Sequence, residues 1–173
     1  GLYACAFAKQ LGCKTVISID KNQHRLELSK EFGADILINT SIEKDVISKI
    51  QNITKGNGAD YAIEVTGDPT VISDGIGFLR IGGSYILLGA IYPGNKITLD
   101  TSAIITKCLN ISGMHNYAPI HLKNAIELVQ QSKEKYPYEK IVGPNFPFTK
   151  DGLEEAFNSL NSKESLRPSI TPN

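Results

Sequence analysis

Asp20 is the residue whose position most directly suggests chemistry. It closes the β-branched run Thr15-Val16-Ile17-Ser18-Ile19 and follows Gly1 by 19 residues. In a dinucleotide-binding unit the last glycine of G-x-G-x-x-G opens the first helix. An acid about 20 residues beyond that fingerprint closes the second strand and bonds the ribose hydroxyls of the adenosine half. Gly1 fits that third glycine, with a helix over 1–11, a turn at Gly12, a strand over 14–19 and the acid at 20. An Asp at a strand end can equally cap the helix that follows, so this residue alone leaves both roles open. Metal chemistry has no comparable signal: His24, His115 and His121 with Cys5, Cys13 and Cys108 lack the spacing of zinc ligands. Cys5 and Cys13 are expected to pack as small apolar residues.

The elements that would carry such a site alternate along the chain. After the first strand, Leu26, Leu28 and Phe32 mark a helix over 22–32 that Gly33 stops, and Ile36-Leu37-Ile38 reads as a brief strand. A helix over 43–55 ends at Gly56-Asn57-Gly58, and a strand over 61–65 leads into a helix over 69–79 with Pro69 in its first turn. Gly82-Gly83 reads as a turn into a strand over 84–89. A short helix over 101–107, a strand over 109–113 and a helix over 121–135 follow. Beyond residue 136 the chain turns proline-rich, with an amphipathic helix over 153–160 among extended pieces. Strands alternating with helices predict an α/β fold: a doubly wound parallel sheet of Rossmann type with right-handed crossovers. Short apolar strands without strict alternation suggest a sheet covered on both faces.

Composition narrows the partners. Lys+Arg 18 against Asp+Glu 18 gives zero net charge, which argues against nucleic acid or an anionic membrane as partner. The apolar stretches, such as 85–92, are too short to span a bilayer, and no signal-peptide pattern opens the chain. An odd cysteine count of 3 without C-x-x-C argues against a disulfide framework and for a reducing, cytoplasmic location. The opening Gly1 runs straight into an apolar helix, and the only methionine is Met114. The chain therefore reads as a piece cut inside a domain, without the first strand and the first two fingerprint glycines. The strands at 14–19 and 61–65 are then expected to lack their shared neighbour. The isolated chain is expected to be marginally stable and to bind cofactor poorly.

The ordered set Leu11-Gly12-Cys13, Ile19-Asp20, Arg25-Leu26-Glu27-Leu28, Phe32-Gly33-Ala34-Asp35, Gly58-Ala59-Asp60, Glu64-Val65-Thr66-Gly67, Gly82-Gly83 and Leu88-Gly89 resembles the nucleotide-binding domain of medium-chain, zinc-type alcohol dehydrogenases. The tail, with Phe146-Pro147-Phe148, Leu153-Glu154-Glu155-Ala156-Phe157 and Leu166-Arg167-Pro168, resembles the segment that returns to that family's catalytic domain. Gly113-Met114-His115-Asn116-Tyr117 resembles a subgroup associated with phosphonate breakdown. The resemblance implies a dinucleotide-binding domain over 1–136, lacking its first strand, and a returning segment over 137–173.

It also implies roles. Gly1 opens the phosphate-facing helix, Asp20 holds the ribose diol, and Arg25 lies against the adenine; otherwise Arg25 is a solvated helix residue. Val65 and Thr66 touch the adenosine and nicotinamide-ribose side. Leu88, Gly89 and Ala90 meet the nicotinamide; alternatively Gly89 serves a turn needing positive φ. Met114 and His115 face the carboxamide end, His115 alternatively being hydrogen-bonded structure. Arg167 reaches the pyrophosphate or is a surface charge. No catalytic residue and no metal ligand is expected within the chain. The implied whole is an NAD-dependent zinc-type alcohol or polyol dehydrogenase and a homo-oligomer, with zinc ligands outside these residues and a small-molecule alcohol as substrate. NAD is expected over NADP because an acid at position 20 repels a 2′-phosphate, although Lys21 adjoins it. The alternatives are a zinc-free, quinone-reductase-like NADPH enzyme, or a non-catalytic truncated domain.

Overall fold

The computed structural model describes residues 1–89, 93–94, 96–161 and 166–172. They form two compact units, Gly1–Ala125 and Ile126–Asn173. The first contains α1 (Leu2–Gln10), β1 (Ile17–Asp20), α2 (Gln23–Glu31), β2 (Ile36–Asn39), α3 (Val46–Ile53), β3 (Ala59–Glu64), α4 (Pro69–Phe78), β4 (Leu79–Leu87), α5 (Thr101–Thr106) and β5 (Asn110–Gly113). The start of α6 (Pro119–Ser132) closes the unit. Every strand pairing is parallel, so the chain is α/β as the alternation predicts.

Local chemistry sets the helix starts. The side chains of Asn22, Asp45, Asp68 and Asp100 accept from the N–H groups of Arg25, Ser48, Thr70 and Ser102, capping α2, α3, α4 and α5. Burial does not favour a charged Asp35. Even so, the Val16 N–H at 2.7 Å and the Lys9 ammonium at 3.0 Å together hold its carboxyl below the ordinary value. The Val16 N–H is thus taken by a side chain, while its carbonyl accepts the Ile36 N–H at 3.2 Å, and β1 begins at Ile17 rather than at the expected residue 14.

β4 differs most from expectation. It begins at Leu79, directly after α4, and not at residue 84. Ala59 faces Leu79 but Tyr61 faces Ser84, so β4 carries a bulge where a turn was expected. Gly82 holds φ +72° inside it, and its N–H donates to the Lys107 carbonyl at 2.7 Å.

The sheet is not continuous. Among the described residues β1 pairs only with β2, and the other ladder runs β3-β4-β5 with β5 at an edge. The strands expected to lack a shared neighbour, β1 and β3, do not pair with each other. One face of the larger ladder carries a core in which Ile72 and Ile76 of α4 pack with Leu79 and Tyr85, against Ala62, Leu87 and Ile111. Each fully buried aliphatic chain there contributes about 1.5–3 kcal/mol. On the other face Tyr61 and Ile63 are 65% and 41% exposed. The expectation of cover on both faces is therefore corrected: β3 alternates because only one of its faces finds a helix within the described residues.

The second unit holds the end of α6, a 3₁₀ turn at Tyr138–Ile141, α7 (Lys150–Asn161), and β6 (Asn145–Pro147) parallel to β7 (Ser169–Thr171). Thr149 Oγ1 accepts the Gly152 N–H at 3.1 Å, so α7 starts three residues before the expected 153. The Ser132 and Tyr138 hydroxyls lie 2.9 Å apart and fasten the turn to α6.

Candidate cofactor site

Three strands of the larger ladder end level, with Glu64 beside Leu87 and Leu87 beside Gly113. The segments leaving them are Val65-Thr66-Gly67, Leu88-Gly89 and Met114-His115. The carboxyl ends of a parallel sheet are where ligands bind in open α/β folds. Gly1 comes to the same place: a Cβ built on it lies 3.9 Å from Val65 Cγ2. Met114 donates its N–H to the Leu87 carbonyl at 3.0 Å and remains 55% exposed. His115, next to it, is exposed. Seven of the expected residues, Gly1, Val65, Thr66, Leu88, Gly89, Met114 and His115, thus gather at one end of the unit. Ala90 lies outside the described residues.

Gly89 does not adopt positive φ, which corrects the turn reading. Its glycine is required by contact instead: a Cβ there would lie 2.7 Å from the Val65 carbonyl carbon and 2.8 Å from the Thr66 nitrogen. The ends of β3 and β4 therefore touch backbone to backbone.

Glu64 organises that contact, a role sequence reasoning missed. It is 5% exposed. Its Oε1 accepts from the Thr66 N–H at 2.5 Å, the Thr66 hydroxyl at 2.7 Å and the Gly67 N–H at 2.8 Å. Its Oε2 accepts from the Gly89 N–H at 3.3 Å. The Thr66 hydroxyl oxygen in turn accepts the Asp68 N–H at 3.1 Å, linking the cluster to the cap of α4. There the hydroxyl and N–H of Thr70 hold the Asp68 carboxyl below its ordinary value. Burial, reinforced by the carboxylates of Glu64 and Asp74, pushes the Tyr85 phenol up to about 12. The available signal was a charged residue closing an otherwise apolar strand, Tyr61-Ala62-Ile63-Glu64.

The smaller ladder presents a different arrangement. Asp20 Oδ1 accepts the Asn22 N–H at 2.9 Å. Asn22, not Asp20, caps α2, so the capping alternative for Asp20 does not hold. No other hydrogen bond reaches the Asp20 carboxylate among the described residues, which leaves Oδ2 open. Arg25, on the first turn of α2, has its Nε buried with no hydrogen-bond partner. An unpaired buried donor costs about 1–3 kcal/mol. Open Oδ2 and orphaned Nε together fit the adenosine half of a dinucleotide.

Arg167 is exposed in the second unit, and its carbonyl accepts the Gly143 N–H at 2.7 Å. Cys5 is buried, and burial pushes its thiol up; Cys13 is exposed, correcting the expectation that it packs. No group of three His, Cys, Asp or Glu among the described residues could hold a metal ion. No described helix is long and apolar enough to cross a membrane.

Residues 1–131 match the family model of zinc-binding dehydrogenases. The chain is 33% identical over 152 residues to L-threonine 3-dehydrogenase of Bacillus subtilis, covering 82% of this chain and 43% of that protein. It is 26% identical over 174 residues to D-arabitol-phosphate dehydrogenase of Enterococcus avium, covering 100% of this chain and 48% of that one. Among solved structures, an alcohol dehydrogenase from Thermotoga maritima superposes with TM-score 0.91 at 25% identity, over 99% of this chain and 47% of its own. Benzyl alcohol dehydrogenase from Acinetobacter calcoaceticus superposes with TM-score 0.87 at 27% identity, over 100% and 47%. The chain thus spans less than half the length of each of these proteins.

Proposed function

The chain belongs to the zinc-binding dehydrogenase family, and from that premise we propose that it is the cofactor-binding part of an NAD-dependent alcohol or polyol dehydrogenase. The observation that carries this reading is the open Asp20 Oδ2, one turn before an Arg25 Nε that is buried and unpaired. Bound NAD supplies the acceptor for the hydride of the alcohol.

In this reading Asp20, with Oδ1 anchored by the Asn22 N–H, accepts from the adenosine ribose hydroxyls through Oδ2. The same charge repels a 2′-phosphate, which favours NAD over NADP. Arg25 lays its flat guanidinium against the adenine. The N-terminus of α1 at Gly1 faces the pyrophosphate, and Arg167 offers a guanidinium for phosphate oxygens. Val65 and Thr66 contact the adenosine and nicotinamide-ribose side, Leu88, Gly89 and Ala90 the nicotinamide ring, and Met114 and His115 its carboxamide.

No step involving zinc is assigned to the described residues, which provide no ligand cluster for it. The metal, the proton relay and most of the alcohol pocket belong to residues outside 1–173. Residues 137–173 return toward that part of the protein, the β5 edge pairs with a second copy, and the protein works in the cytoplasm.

The test is calorimetric titration of the full-length protein with NAD and NADP. NADH formation is then followed with small alcohols, polyols and hydroxy-amino acids. Saturable binding that favours NAD, and turnover with at least one such alcohol, are expected. A protein that binds no NAD overturns the reading.

A further inference from the structure

We propose that Glu64 is a positioning residue for the nicotinamide half of the cofactor, acting through the backbone it holds and not by touching the ligand. The inference rests on the cofactor reading above and adds to it the group that shapes the nicotinamide side.

A buried carboxylate is costly unless its oxygens are hydrogen-bonded. Glu64 is 5% exposed and forms no ion pair among the described residues. It is satisfied by donors alone: the Thr66 N–H and hydroxyl, the Gly67 N–H and the Gly89 N–H. Three of these are backbone donors at the end of the ladder; the Gly89 N–H is shared with the Glu64 carbonyl at 3.2 Å, which also accepts the Leu88 N–H at 2.9 Å. Two successive ones, Thr66 and Gly67, form the kind of concave N–H cluster that takes an anion. One side chain therefore fastens the loop after β3 to the loop after β4, across a contact too tight for any Cβ at position 89.

All four partners are donors, so an acid fits and an amide does not: a glutamine would have to turn its NH₂ toward one of them. The residues so fastened, Val65, Thr66 and Gly89, are those that face the nicotinamide side. Asp20 and Arg25, which hold the adenosine half, stand on the other ladder, with no hydrogen bond to this cluster among the described residues. A defect at Glu64 should accordingly be felt more at the nicotinamide half of the cofactor than at the adenosine half.

The experiment uses the full-length protein and compares binding of NAD with binding of ADP-ribose, which lacks the nicotinamide. In Glu64→Gln, NAD affinity is expected to fall about tenfold or more while ADP-ribose affinity stays within about twofold. Equal loss for both ligands, or a lowered melting temperature with an unchanged NAD to ADP-ribose ratio, makes Glu64 merely structural and overturns the proposal. Should Glu64→Gln fail to fold, Glu64→Asp keeps the acid but shortens it by one methylene, drawing it away from its donors; about a threefold loss confined to NAD is then expected, and no NAD-specific loss overturns the proposal. A wild type that binds ADP-ribose and NAD equally also overturns it. One that binds neither removes the cofactor reading itself.

Discussion

Asp20 and Glu64 are both acids that close a parallel strand, and the molecule uses them in opposite ways. Asp20 is half-buried, takes one backbone donor and keeps an oxygen open. Glu64 is buried and spends both oxygens on donors from its own chain. The difference follows from what leaves each strand. β1 runs into a turn whose own residue, Asn22, caps the next helix, so the Asp20 carboxylate is needed only for one N–H. β3 and β4 end against each other, and the Glu64 carboxylate accepts the N–H groups of Thr66, Gly67 and Gly89, the last shared with the Glu64 carbonyl. An acid at a strand end therefore keeps an oxygen open only when its neighbours have already satisfied the backbone.

The sharpest way to break this contrast is to truncate both acids. Glu64→Ala strands several buried donors, and a loss of about 2–4 kcal/mol in unfolding free energy is expected by denaturant titration. Asp20→Ala should cost well under half of that, and equal costs would erase the distinction. Next in size is Gly89→Ala, which drives a Cβ into the Val65–Thr66 backbone; about 1–3 kcal/mol of destabilisation is expected. A neutral result would show that the two strand ends are not locked together.

Arg25→Ala tests the open side. Removing an unpaired buried Nε should leave folding stability within about 0.5 kcal/mol or raise it slightly. Adenine-containing ligands should bind several-fold more weakly. A clear loss of stability with unchanged ligand binding would make Arg25 a packing residue.

A pH dependence is also expected beside Glu64. The Tyr85 phenol is pushed up to about 12 from 10.0 by burial and by the Glu64 and Asp74 carboxylates. Below pH 10 it is protonated in both the folded and the unfolded chain, and its contribution is fully present. As pH rises from about 10 toward about 12 only the unfolded chain releases the proton, so stability falls across that window. Tyr85→Phe should flatten the fall; an identical slope in the variant would place the effect elsewhere.

The sequence made one of the two acids legible and not the other. Asp20 is readable because glycine spacing and a β-branched run fix its place along the chain, and the helix stops at Gly12 and Gly33 are local in the same way. Glu64 was visible as a charge in an apolar strand. Its partner Gly89, however, lies 25 positions away and becomes a neighbour only when β3 pairs with β4. The same limit applies to Gly82-Gly83, which looks like a turn locally but is a bulge because α4 leads straight into β4. Cys13 could not be placed by composition, since the turn after α1 carries it outward.

The most direct test of the account is the ratio of NAD to NADP affinity in the full-length protein, measured by calorimetry for the wild type and Asp20→Ala. The account expects the wild type to favour NAD. The variant is expected to lose about 1–3 kcal/mol of NAD binding, and with it most of the discrimination against NADP. A ratio that does not move would contradict it and leave Asp20 with no role beyond holding the Asn22 N–H.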